Sequence, residues 1–98
     1  MSNDLAEFKL ARLKQIRRII LELLDLVGIG AVESVIIQVL NSRKLTVTPF
    51  ELQRELDYLA QRGVIKLDRQ KQWFATLTPD GSDLITGITP TPDWIAAE

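Results

Sequence analysis

The chain is 98 residues long, 46% apolar and 26% charged, a balance that fits one folded domain and excludes a disordered chain. It has no cysteine and no histidine, which excludes disulfide staples, thiolate catalysis, cysteine-based zinc sites and the commonest general base. The net charge of −1, from 12 basic and 13 acidic residues, leaves any affinity for nucleic acid to the distribution of charge rather than its sum.

Residues 4–27 read as one long helix, with Asp4 as its cap and Gly28 just past its end. Leu13, Ile16, Ile20, Leu24 and Val27 recur at helical spacing, and Lys14, Arg18, Glu22 and Asp25 form a polar stripe opposite them. From Ile19 to Val27 the helix is apolar on nearly every side, so it must be covered from more than one direction. Packing of two core elements is one solution. A homodimer seam involving Leu5, Phe8 and Leu10 is another, and the two are compatible. The same helix carries a basic run of Lys9, Arg12, Lys14, Arg17 and Arg18. It reads first as a solvated face and second as a phosphate contact. A membrane-surface role conflicts with the need for the apolar side in the core.

Gly28-Ile29-Gly30 is a connector. In residues 31–41, Val32, Val35, Ile36, Val39 and Leu40 follow the helical template. The run is rich in β-branched residues, so a strand competes, and the period decides for a helix. Arg43 to Val47 connect onward, with Leu45-Thr46-Val47 as a brief extended segment. Thr48, Pro49 and Glu51 form a capping box that opens a helix over 49–62. Its buried stripe is Leu52, Leu56, Leu59 and Ala60, and Gly63 supplies a left-handed stop.

Val64 to Leu67 and Gln72 to Leu77 read as two strands around the polar turn Asp68-Arg69-Gln70-Lys71. Trp73 and Phe74 face opposite sides, so one enters the core and the other is partly exposed. Thr78-Pro79 repeats the cap-plus-proline device and opens a short helix over 79–86. Residues 88–98, with Pro90 and Pro92, read as a tail. Its Trp94 either folds back on the body or docks on another chain, because an isolated exposed tryptophan has no stability rationale.

Three helices followed by a hairpin resemble the winged helix-turn-helix family. The matching residues run from Arg54 through Gly63-Val64-Ile65 and then Leu77-Thr78-Pro79-Asp80-Gly81. They are similar to the pattern of a last core leucine, Gly, Val-Ile, hairpin and Leu-Thr-x-x-Gly in bacterial regulators of the MarR and PadR kinds. The resemblance covers about residues 31–87. It implies a mainly α fold with a small β-hairpin in one domain over residues 1–87. Residues 31–41 and 49–62 would be the helix-turn-helix and 64–77 the wing. The connector Ser42 to Thr48 is longer than that pattern usually has. Chain size and the Gly-Val-Ile and Gly-Ile-Thr-Pro stretches also resemble small proteins of Mu-like phages and prophages.

The resemblance makes 49–62 the helix that reads double-stranded DNA. With Leu56 at the centre of its buried face, Glu51, Arg54, Tyr58 and Gln61 point outward. Arg54 suits guanine, Gln61 suits adenine, and Tyr58 could reach a phosphate or stack on a base. Glu55 and Asp57 lie on the flanks. Two arginines, Arg54 and Arg62, stand against three carboxylates on this helix, so phosphate neutralisation falls to Arg43, Lys44, Lys66, Arg69 and Lys71. A homodimer would double that set and suit two half-sites about one helical turn apart.

No nucleophile–base pair, glycine-rich phosphate loop or metal-ligand spacing is recognisable, so neither an enzyme nor a cofactor is expected. Apolar runs stay far below the ~20 residues that cross a bilayer, and no basic-then-apolar leader opens the chain. A cytoplasmic protein is the expectation. Its role is either DNA-binding transcription regulation, of a phage or prophage kind, or protein interaction or phage assembly on the same scaffold without DNA. In the second case Trp94 and the tail are the candidate partner contact.

Overall fold

The computed structural model describes residues 3–97. Its longest element, α1 (Asn3–Val27), is the spine on which the rest packs. It is followed by β1 (Ala31–Val32), α2 (Glu33–Ser42), α3 (Pro49–Gln61), β2 (Ile65–Asp68), β3 (Phe74–Leu77) and α4 (Pro79–Ile85). The described chain is thus mainly helical, with a three-stranded antiparallel sheet in the order β1-β3-β2.

The wide apolar face of α1 is explained by what surrounds it. Ile16, Ile20, Leu21 and Leu24 are fully buried, and α1 touches α2, α3, β3 and α4. Each such side chain contributes roughly 1.5–3 kcal/mol on burial. The stripe stops one turn earlier than its spacing implies, because Val27 is exposed where α1 runs past the body. Asp4, read as the helix cap, lies inside the first turn instead, where its charge favours the positive end of the helix dipole.

The span 31–41 divides, which corrects the reading of one helix there. Ala31 and Val32 pair with Ala75 and Phe74, and only from Glu33 does the chain turn helical. The Glu33 N–H donates to the Trp73 carbonyl at 2.9 Å, and the Trp73 N–H donates to the Glu33 carboxylate at 3.1 Å. These bonds fix Val32 in an extended conformation as the residue before the helix. Of the expected stripe, Ile36 and Leu40 are buried, Val39 is half-buried and Val35 is exposed.

Local signals at the other ends are met. Glu51 N–H donates to Thr48 Oγ1 at 3.0 Å, and Thr48 N–H donates to Glu51 Oε1 at 3.1 Å, so the capping box is complete. Gly63 has φ of 79° and ends α3 with its N–H on the Ala60 carbonyl. Lys44 does the same work after α2 with φ of 62°, its N–H on Asn41 and the next N–H on Leu40. Segment 45–47 forms no strand; Val47 is buried and Leu45 half-buried.

The first hairpin strand, Ile65–Asp68, lies one residue later than the run Val64–Leu67, the second, Phe74–Leu77, starts two residues after Gln72, and Ala75 on the central strand is fully buried. Trp73 and Phe74 are both half-buried. Thr78 caps α4 through Gly81 N–H at 3.1 Å, while its hydroxyl donates to the Gly63 carbonyl at 2.7 Å. A Cβ on Gly81 would stand 2.2 Å from the Val64 carbonyl oxygen, so only glycine lets α4 approach the start of the hairpin. Residues 88–97 fold back across the molecule, and Ile95 is 3% exposed within the core.

Candidate nucleic-acid interface

The rotation of α3 about its axis decides which side chains a partner could meet. Leu52, Leu56 and Leu59 are fully buried, and Glu55 is buried beside them. Glu55 therefore belongs to the inner side rather than to a flank, which turns the outward face away from Tyr58. The side chains left outermost are Phe50, Arg54 and Gln61, with Asp57 half-buried between them.

Glu55 is buried because α1 sends an arginine to meet it. Arg17 Nε donates to Glu55 Oε1 at 2.6 Å, and both side chains are under a tenth exposed. The same guanidinium donates to the Trp94 carbonyl at 3.0 Å and lies over the Tyr58 ring, 4.0 Å from its centroid. A buried ion pair is tolerated only when its remaining protons are satisfied, and among the described residues no buried side-chain polar atom lacks a partner. Trp94 meets Tyr58 edge-on, with centroids 5.9 Å apart, and Arg62 lies over both rings. Arg18 donates to the Ala96 carbonyl at 3.0 Å and to Glu22, and Ala96 N–H donates to the Lys14 carbonyl. Arg12 reaches Glu51 at 3.5 Å and also donates to the Thr46 carbonyl.

The basic run of α1 is thus largely internal. Arg12, Arg17 and Arg18 tie α1 to α3, to the connector and to the tail. Trp94 takes the first of its two sequence-based alternatives and folds back on its own chain. The signal for Arg17–Glu55 lay in the sequence. Arg17 stands on the stripe Leu13-Arg17-Ile20-Leu24, and Glu55 on the stripe Leu52-Glu55-Leu59. Opposite charges on two apolar stripes mark a buried pair.

The β2–β3 hairpin is pinned to α3 as well. Arg69 pairs with Asp57 and lies over the Trp73 ring, 5.0 Å from its centroid. Glu33, which sequence reasoning did not single out, joins three elements. One carboxylate oxygen accepts from Trp73 N–H, and the other accepts from Gln53 Nε2 at 3.0 Å. It fixes the start of α2, the middle of α3 and the hairpin in one frame.

The proposed DNA contacts therefore do not all share one surface. Arg54 and Gln61 share the outer face of α3, and Asp57 brings Arg69 to its edge. Tyr58 is half-buried under Trp94, and Arg62 donates to its hydroxyl at 2.9 Å. Lys66 and Lys71 are exposed on the hairpin and Lys44 on the connector. Arg43 stands apart, beside Glu22 and Leu23 of α1 in a shallow hollow. Among the described residues Arg43, Lys44, Arg54, Lys66 and Lys71 make no ion pair.

A groove of about 520 Å³ separates the first turns of α1 from α3. Leu5, Phe8 and Leu13 give it an apolar wall, and Lys9, Arg12, Glu51 and Arg54 its charged rim. Leu5 and Phe8 of the expected dimer seam line this groove, whereas Leu10 is exposed but not among its lining residues. No group of acidic residues among the described ones is arranged to hold a metal ion, and no helix there is long and apolar enough to cross a membrane.

No protein-family model, curated protein or solved structure matches this chain.

Proposed function

We propose that this chain is a winged helix-turn-helix DNA-binding protein, acting as a small transcriptional regulator in the cytoplasm and belonging to the phage or prophage kind that its sequence resembles. The observation that carries the reading is the element order α1-β1-α2-α3-β2-β3 with the hairpin fastened beside α3 by Arg69–Asp57 and by Glu33. That arrangement sets a helix and a wing side by side, which is what groove insertion and phosphate contact require. Arg54 and Gln61 are the base-reading residues, and Lys44, Lys66 and Lys71 supply phosphate contacts. The role is binding rather than catalysis.

The test is fluorescence anisotropy with duplexes from the chain's own genomic neighbourhood over a series of salt concentrations. Affinity is expected to fall steeply with salt, with a log–log slope of about −3 for three phosphate contacts. Arg54→Ala should weaken the preferred duplex by about 1–3 kcal/mol and flatten its preference over others, while leaving the unfolding midpoint unchanged. Absence of binding at low salt overturns the reading.

A protein-interaction or phage-assembly role on the same scaffold is the second reading. Phe50 favours it, since it is 69% exposed one turn before Arg54, on the face that would enter the groove.

A further inference from the structure

The first turns of α1 stand outside the body. Every residue from Asp4 to Ala11 is exposed, yet Leu5 and Phe8 are 62% and 68% exposed on a segment with no core of its own. A helix end this short is marginal alone in water, and two large apolar side chains on it call for a cover. They also form one wall of the groove against α3, so the same segment supplies both a plug and part of a socket. A surface that is at once plug and socket is what a two-fold symmetric contact uses.

The charges point to the same occupant. Asp4 and Glu7 lie three apart on α1 and have no ion-pair partner among the described residues. Arg54, on the α3 rim of the groove, has none either. Neither Asp4 nor Glu7 lines the groove of its own chain, so both carboxylates are available to an arginine outside it. Phe50, exposed one turn before Arg54, extends the apolar patch that the other copy would meet.

We propose that the groove between α1 and α3 is the docking site for the α1 end of a second copy of this chain. Leu5 and Phe8 of each copy fill the other's groove against Leu13, and Asp4 or Glu7 pairs with the other copy's Arg54. The self-association does not depend on the DNA reading. It does compete with it, because Arg54 cannot face a carboxylate of a second copy and a base at once. The paired form is the masked form and the monomer is the one that binds.

Sedimentation velocity of the full chain, without DNA, from about 5 to 200 µM spans the range in which a modest interface associates. The unaltered chain is expected to show concentration-dependent dimer. Phe8→Asp, Arg54→Glu and the double variant Asp4→Arg/Glu7→Arg are each expected to run as monomers, and an equimolar mixture of the last two should recover the dimer. All these side chains are exposed or line the open groove, so folding is retained. A single monomeric mass for the unaltered chain throughout, an unchanged dimer in Phe8→Asp, or a mixture that stays monomeric each overturns the proposal. Asp4→Arg/Glu7→Arg leaves the DNA face intact. Anisotropy with that variant therefore reports on DNA binding separately, and loss of binding there counts against the DNA reading and not against the docking site.

Discussion

One helix shows two different surfaces. On one side of α3, Glu51, Glu55, Tyr58 and Arg62 are engaged by Arg12, Arg17 and Trp94. On the other, Phe50, Arg54 and Gln61 face outward with no such partner. A tally of two arginines against three carboxylates treats these as one acidic helix. The structure separates them. Glu51 is ion-paired to Arg12, Glu55 to Arg17 and Asp57 to Arg69, so the carboxylates of α3 are balanced by its neighbours. Among the described residues Arg54 and Arg62 are left without an ion pair, and since Arg62 is held against Tyr58 and Trp94, Arg54 is the one on the open side. The lesson is that the sign of a helix is set by the elements around it, and the field a partner meets is that of the outer face alone.

The closed side can be broken at its centre. Glu55→Ala leaves the Arg17 guanidinium buried without a counter-charge, and the expected loss is about 3–5 kcal/mol in chemical denaturation, a large part of a small domain's stability of about 5–15 kcal/mol. Replacing both, as Arg17→Met with Glu55→Leu, should cost well under the single change, because no charge is then stranded. A double replacement as damaging as the single one would show that packing of the arginine stem, and not its charge, holds this side.

Trp94→Ala tests the outer layer of the same side. It removes a half-buried ring from Tyr58 and Arg62 and should cost about 2 kcal/mol, below the about 3–5 kcal/mol of a fully buried tryptophan. The midpoint of unfolding is expected to fall while DNA affinity stays level, since Tyr58 and Trp94 cover each other and neither belongs to the outer face. A gain in DNA affinity would mean that the tail shields a contact on Tyr58, and the comparison between the two sides would have to be redrawn.

How much of this was legible follows the distance over which each contact acts. The capping box Thr48–Glu51 and the stop at Gly63 are written within four residues, so the sequence specifies them fully. The strand β1 is two residues long and exists only because Ala31 and Val32 meet Ala75 and Phe74. Its helical period was real, and long-range pairing overrode it at two positions. Arg17 and Glu55 are 38 residues apart in the chain, so the local pattern shows each as a charge set in an apolar stripe, and only the packing of α1 on α3 shows that the two meet. Trp94 was ambiguous because its anchors, Arg17, Tyr58 and Arg62, lie on two other helices. The candidate DNA contacts were legible as charges and not as a surface, since Arg43 and Tyr58 are turned elsewhere by tertiary contacts.

The open side offers the finest test, at the connector. Three helices in this chain end at a glycine with positive φ, and α2 ends at Lys44 instead, with φ of 62°. A side chain in that region costs roughly 1–2 kcal/mol relative to right-handed backbone, and the greater freedom of glycine in the unfolded chain returns roughly 0.5–1 kcal/mol of any gain. Lys44→Gly is therefore expected to raise stability by about 0.5 kcal/mol, visible as a higher denaturant midpoint at unchanged slope. If Lys44 is kept as lysine for a phosphate, the same variant should lower DNA affinity and reduce the salt slope by about 1. Stability and binding would then move in opposite directions on one substitution, which a merely solvated lysine would not produce. A stabilised variant with unaltered salt dependence would take Lys44 out of the interface and leave the neutralisation of phosphates to Lys66 and Lys71 on the hairpin.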